Sequence, residues 1–212
     1  MENIKLIIFD LDGTIVDAYP AIISSFNYAM EKTGYPLQSG PAIRKAVGWG
    51  DENLLEPFVG KRDLKKALKA YRLHHKKSLL VKSRLFPGTR QLLKYLRDRG
   101  YKLAVASNRP TRFSWLLIRH LKLRPYFSYV LCADRVKYGK PHPGLLKKII
   151  RRFRVASSRV IYVGDMTIDA QAGRRAGVKT VIVTTGSSSR REVRKERPCL
   201  IISNIVKLKE LL

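Results

Sequence analysis

One stretch near the N-terminus, Ile4-Lys5-Leu6-Ile7-Ile8-Phe9-Asp10-Leu11-Asp12-Gly13-Thr14, constrains the fold more than any other. Lys5 apart, it opens as an Ile-rich apolar run, which predicts a buried strand. It then ends abruptly in two carboxylates and a glycine. A buried parallel strand delivers the residues after it to the carboxyl edge of the sheet, where open α/β folds bind ligands. Asp10 and Asp12 are two apart, so in extended chain they point the same way. Two like charges at one spot call for a cation or a proton between them. Asp-Gly after a strand is also a hairpin signal, and only the rest of the chain decides against that reading.

The chain splits into two rhythms. From 15 to 86 it reads as helices with no strong strand: about 20–34, closed by Gly34 and Pro36; 41–47, stopped at Gly48-Trp49-Gly50; 52–59; and a basic helix over 62–82. From Gly88 onward helices and strands alternate, the mark of a parallel sheet. Strands are predicted at 102–106, 129–132, 160–163, 180–183 and 200–202, with helices at 89–99, 111–121, up to 152, 168–176 and 205–212. Residues 187–195 are polar and basic, a loop or an exposed helix. The expected architecture is α/β, a Rossmann-like parallel sheet with helices on both faces, built from 1–14 and 87–212, with an α-helical insertion over 15–86.

Composition narrows the classes. The chain has 212 residues, enough for one large core with a small inserted domain. No run of 18 or more apolar residues is present, so no membrane span is expected. The first strand begins almost at once, which leaves no room for a signal peptide. Cys132 and Cys199 make no disulfide framework, the four histidines have no metal-ligand spacing, and a cytoplasmic setting is expected. The net charge is +27, from 43 Lys and Arg against 16 Asp and Glu. Such a field attracts polyanions without specifying a fold or a site.

The strand ends carry the chemistry. The first strand ends in Asp10 and Asp12, the second in Ser107-Asn108, and the strand at 160–163 in Gly164-Asp165, with Asp169 four residues on. Lys140 lies in a loop that opens a helix. All belong at one sheet edge. Carboxylate oxygens without His or Cys suit Mg2+ rather than zinc. Acids around a metal, with a lysine beside them, are what phosphoryl chemistry needs: positioning, and neutralisation of an anionic group.

In order, Asp10-Leu11-Asp12-Gly13-Thr14, Ser107-Asn108, Lys140-Pro141 and Gly164-Asp165-Met166-Thr167-Ile168-Asp169 resemble the four motifs of the haloacid dehalogenase (HAD) superfamily. Asp17, Pro20, Gly173 and Gly177 point to its phosphoglycolate-phosphatase-like branch. The resemblance implies Asp10 as nucleophile and Mg2+ ligand, and Asp12 as acid–base, with its backbone carbonyl on the metal. It implies Asp165 as a side-chain metal ligand, with Asp169 standing behind it. Ser107 would bind the phosphoryl oxygens, with Asn108, Gly13 and Thr14 also on the substrate, and Lys140 would balance charge and hold Asp10. Residues 15–86 would be the family's helical cap.

The presence of Asp12 argues against the dehalogenase and phosphonate-cleaving relatives, which lack that second aspartate. The sequence Asp-Leu-Asp-Gly-Thr differs from the Asp-Lys-Thr-Gly-Thr of P-type ATPases. The expected function is a Mg2+-dependent phosphatase acting on a small phosphorylated metabolite through an aspartyl-phosphate. A sugar-phosphate mutase is the alternative within the superfamily, and a basic nucleic-acid-binding protein on a relic scaffold the alternative outside it. Trp49 is read as packed among the cap helices, and Arg44 and Lys45 as a solvated helix face. Binding to nucleic acid is expected to be weak and non-specific, and the state monomeric or dimeric.

Overall fold

The computed structural model describes residues 3–212. Its elements run β1 (Leu6–Phe9), β2 (Val16–Asp17), α1 (Tyr19–Thr33), α2 (Gly40–Ala46), α3 (Asp51–Lys82), β3 (Arg84–Leu85), α4 (Thr89–Asp98), β4 (Lys102–Ser107), α5 (Thr111–His120), β5 (Tyr129–Cys132), α6 (Gly144–Phe153), β6 (Val160–Gly164), α7 (Thr167–Ala176), β7 (Lys179–Val183), α8 (Arg190–Lys195) and β8 (Leu200–Ile202). A 3-10 helix, Ile205–Leu211, comes after β8.

Six strands form one parallel sheet in the order β5-β4-β1-β6-β7-β8. Its central strand is apolar on both faces because both are covered. Ile7 and Phe9 join one core with Leu103, Val105, Ile161 and Val163, against α4, α5 and the 3-10 helix. Leu6 and Ile8 join the other with Ala104, Val160 and Tyr162, against α6 and α7. The winding reverses at β1, since β4 and β5 lie on one side of it and β6 to β8 on the other. The carboxyl ends of β1 and β6 therefore flank the crevice where such sheets take ligands.

Between β2 and β3 the chain leaves the sheet as α1, α2 and α3. Helix α1 starts with Pro20 near its N-terminus and stops at Gly34, which takes the left-handed conformation at φ 78. The predicted helices at 52–59 and 62–82 are the two halves of α3, broken at Gly60 (φ 67, ψ 172). The region 15–86 does contain strands: β2 and β3 pair antiparallel, Val16 with Leu85 and Asp17 with Arg84. Two-residue strands leave no periodic signal. Their pairing puts the exit and the return of the chain side by side.

Candidate active site

Asp10 comes directly after β1 and is 6% exposed. Its amide donates to the Val163 carbonyl of β6 (2.9 Å), which fixes it at the crevice. Oδ2 of Asp10 pairs with Lys140 Nζ at 2.9 Å, while Oδ1 is buried with no partner among the described residues. Burial is the main cause that raises the Asp10 carboxyl to about 6, against the opposing pull of Lys140.

Asp169, on α7, is fully committed. Lys140 Nζ (2.7 Å) and the Tyr162 hydroxyl (2.6 Å) donate to its Oδ1. The amides of Asp165 (3.1 Å) and Met166 (3.0 Å) donate to its Oδ2. It therefore anchors the β6–α7 turn and the lysine. Burial would lower Lys140, but Asp10 and Asp169 outweigh it and hold the ammonium above its ordinary value.

Asp165, at the end of β6, receives Thr14 Oγ1 on Oδ1 (2.8 Å) and the Tyr19 hydroxyl on Oδ2 (3.3 Å). Burial, then Asp169 and Asp10, push its carboxyl well above the usual range. Acid oxygens of Asp10, Asp165 and Asp169 lie within 4.8 Å of one another. Asp169 has given up its hydrogen-bonding capacity, so Asp10 and Asp165 are the pair that can hold a cation. The unpartnered Asp10 Oδ1 and the all-oxygen donor set fit Mg2+. Gly13 makes room for Asp165: at φ +80 it sits where a Cβ would overlap the Asp165 carboxylate. Its carbonyl accepts from the Thr185 hydroxyl.

Ser107 ends β4, buried, and its Oγ accepts from the Arg109 amide (3.2 Å). Asn108 ties three segments together. Its side chain donates to the carbonyls of Lys140 and Gly48 (both 2.9 Å) and accepts from the Lys140 amide (2.8 Å). It thus positions the lysine loop and the α2–α3 turn. Asp10, Lys140, Asp165 and Asp169 meet in one hydrogen-bonded cluster, with Thr14 on its edge. Asp12, Ser107 and Asn108 line the adjoining cleft with Asp10 and Lys140.

Three residues carry no signal in the sequence and join the site only in three dimensions. Arg109, 7% exposed, donates from Nε to Asp12 Oδ2 (2.8 Å), leaving Asp12 Oδ1 buried and unpaired. His75 of α3 accepts from Arg109 Nη1 (2.7 Å). Tyr19 reaches Asp165 from the start of α1. Only its neighbouring Asn108 hinted at Arg109; His75 and Tyr19 come from helices with no motif.

Two expectations are corrected. Arg44 is not a free solvated group: its guanidinium stacks on the Tyr19 ring (3.8 Å) and donates to the Thr185 carbonyl (3.0 Å). Trp49 is not packed away: it is 47% exposed, beside a second, open groove at the mouth of the cleft. The inner cleft has a volume of about 60 Å3 and a wall of Ile22, Leu54, Tyr71 and Phe113 opposite the acids.

A parallel sheet with an acid cluster and a lysine at its reversal point defines a class. The sequence profile of the haloacid dehalogenase-like hydrolases matches residues 7–183, and the chain belongs to that family. Within it, the chain sits with the phosphoglycolate-phosphatase-like members. It is 32% identical to a phosphoglycolate phosphatase of Nitrosospira multiformis, over 90% of this chain and 87% of that one. It is 28% identical to a phosphoglycolate phosphatase of Nitrosococcus oceani, over 100% and 98% of the two chains. The crystal structure of a predicted phosphoglycolate phosphatase from Haemophilus somnus superposes with a TM-score of 0.94 at 25% identity, over 100% of this chain and 99% of that one. A candidate beta-phosphoglucomutase from Thermotoga maritima shares the fold with a TM-score of 0.80 at 24% identity, over 99% and 100% of the chains.

Proposed function

We propose that this chain is a Mg2+-dependent phosphatase that hydrolyses a small phosphomonoester through an aspartyl-phosphate on Asp10. The observation that carries the reading is a pair of orphans. Asp10 and Asp12 each keep one buried carboxylate oxygen without a partner among the described residues, at the same cleft. A buried unpaired carboxylate oxygen is costly, and here the cost is offset when substrate and cation arrive.

Mg2+, held by Asp10 and Asp165, would neutralise charge on the phosphoryl group. Asp10 attacks phosphorus with one carboxylate oxygen, its other oxygen being the one that would bind Mg2+, and the ester P–O bond breaks. Asp12 gives its proton to the leaving alkoxide from Oδ1, the oxygen that Arg109 leaves free. Water then attacks the aspartyl-phosphate, Asp12 takes the water's proton, and phosphate leaves with Asp10 regenerated. Lys140 keeps Asp10 ionised and aimed, and Ser107 takes phosphoryl oxygens. The helices over 15–86 act as a cap whose apolar wall and small cleft favour a short substrate over a polymer. The relatives' names make 2-phosphoglycolate the first ester to test.

The test is release of inorganic phosphate from a panel of phosphomonoesters, with Mg2+ and with EDTA, for the wild type and Asp10→Asn. The substitution keeps shape and removes the attacking charge. Turnover should fall at least ~100-fold, more than ~2.7 kcal/mol of barrier, while the fold persists. EDTA should abolish turnover, Mg2+ should restore it and Ca2+ should not, because Ca2+ takes more ligands at longer distances. Full activity in EDTA, or above a tenth of the wild-type rate in Asp10→Asn, overturns the mechanism. A bisphosphate-dependent isomerisation without phosphate release would replace the phosphatase by the mutase.

A further inference from the structure

His75 lies where the cap meets the core, and the phosphatase mechanism does not use it. It is 1% exposed, stacked on Tyr71 (4.7 Å between centroids) and edge-on to Phe113 of α5 (5.2 Å). Its partners set its tautomer. A guanidinium has only donors, so Arg109 Nη1 donates to His75 Nε2, which must carry a lone pair. The ring proton then sits on Nδ1, facing Ser25 Oγ at 3.0 Å, and the Ser25 hydroxyl donates to the Ala21 carbonyl at 2.8 Å. Burial, with Arg109 beside it, holds His75 well below the usual imidazole range, so the ring is neutral and its acceptor is kept. An unbroken relay runs from α1 through α3 to the core: Ala21, Ser25, His75, Arg109, Asp12.

We propose that His75 is a positioning residue for Asp12: through Arg109, the docked cap holds the Asp12 carboxyl with its free oxygen toward the cleft. This role rests on Asp12 acting as the acid–base of the phosphatase. Without the His75 acceptor, Arg109 keeps its charge but loses its orientation, and Asp12 loses the group that fixes it. A proton donor displaced by as little as an ångström costs on the order of 100-fold in a step that needs it. A step that needs no proton is spared.

Leaving groups separate the two. 4-Nitrophenolate departs without protonation, whereas the alkoxide of glycerol 2-phosphate requires it. The measurement is kcat/KM for both esters in Mg2+, which covers the first P–O cleavage. His75→Leu should lose at least ~10-fold more on glycerol 2-phosphate than on 4-nitrophenyl phosphate. His75→Gln, whose amide oxygen can accept from Arg109, should recover most of that difference. His74→Gln should leave the ratio unchanged, although His74 contacts the same Ser25 hydroxyl (3.1 Å). Equal losses on both esters, or no recovery in His75→Gln, would reduce His75 to packing and overturn the proposal. Ring 15N shifts of the wild-type protein give a reading independent of turnover. The neutral Nδ1-protonated form is expected at pH 7.5, and an Nε2-protonated ring breaks the relay. If the wild type releases phosphate from no ester of the panel, the phosphatase reading falls, while the ring tautomer still decides the hydrogen-bond relay.

Discussion

His75 also makes a signature in stability. A buried imidazole held below its unfolded value of 6.5 does not take up the proton that the unfolded chain takes. Unfolding therefore binds a proton as pH falls, so the stability from this group is complete above about 6.5 and drains away below it. The unfolding free energy of the wild type minus that of His75→Gln should fall as pH drops from 7.5 to 5.5, by one-proton linkage. Taking the difference cancels Asp10 and Asp165, which titrate in the opposite sense; a flat difference would mean a solvated ring. At Gly13, alanine meets two obstacles, a positive φ and the Asp165 carboxylate. Gly13→Ala should cost ~1–3 kcal/mol and weaken Mg2+ binding measured by calorimetry. Asp10, Asp12 and Asp165 were legible because they follow apolar strands, and strand ends converge by topology. Arg109 was not, since Arg in a chain with 43 basic residues carries no signal by itself. Neither were His75 and Tyr19, whose meaning depends on how α1 and α3 pack on the sheet.

Among the elements, α3 offers the cleanest test. Gly60 breaks it at φ 67, ψ 172, and an added Cβ would meet nothing within 4 Å. The cost of Gly60→Ala is then backbone strain alone, ~1–3 kcal/mol in urea unfolding, with kcat unaltered because Gly60 lies outside the cleft. A loss beyond that range, or none, would contradict the kink. The helices were readable from Gly and Pro punctuation and from apolar spacing. The ribbon of β2 and β3 was not, because its evidence is the pairing of residues 16 and 85 rather than any local pattern. The roles of Arg44 and Trp49 failed for the same reason. A helix's outward face is defined by its neighbours, and Arg44 has the loop after β7 as one.

At the scale of the molecule, the charge excess lies mostly in the core, +20 against +7 for residues 15–86. Helix α6 shows its form: Leu145, Leu146, Ile149 and Ile150 face inward, and Lys147, Lys148, Arg151 and Arg152 are exposed. Counterion release makes binding through such residues steeply salt-dependent. Adhesion to single-stranded RNA should be detectable at about 50 mM salt and lost near 200 mM, with turnover of small esters unaltered by added RNA. Binding that survives physiological salt would speak for a dedicated polyanion partner. The place of β1 has a last consequence. The strand made first is flanked by β4 and β6, so Leu6 must wait for Lys102 and Val160 to leave the ribosome. Pairing over such separations is slow. The three helices between β2 and β3 emerge before either partner strand, and α1 packs on α3 above all. Synthesis thus presents these helices before the sheet: they can consolidate while the strand that carries Asp10 is still unpaired, and the acid cluster is assembled only when β6 closes against β1.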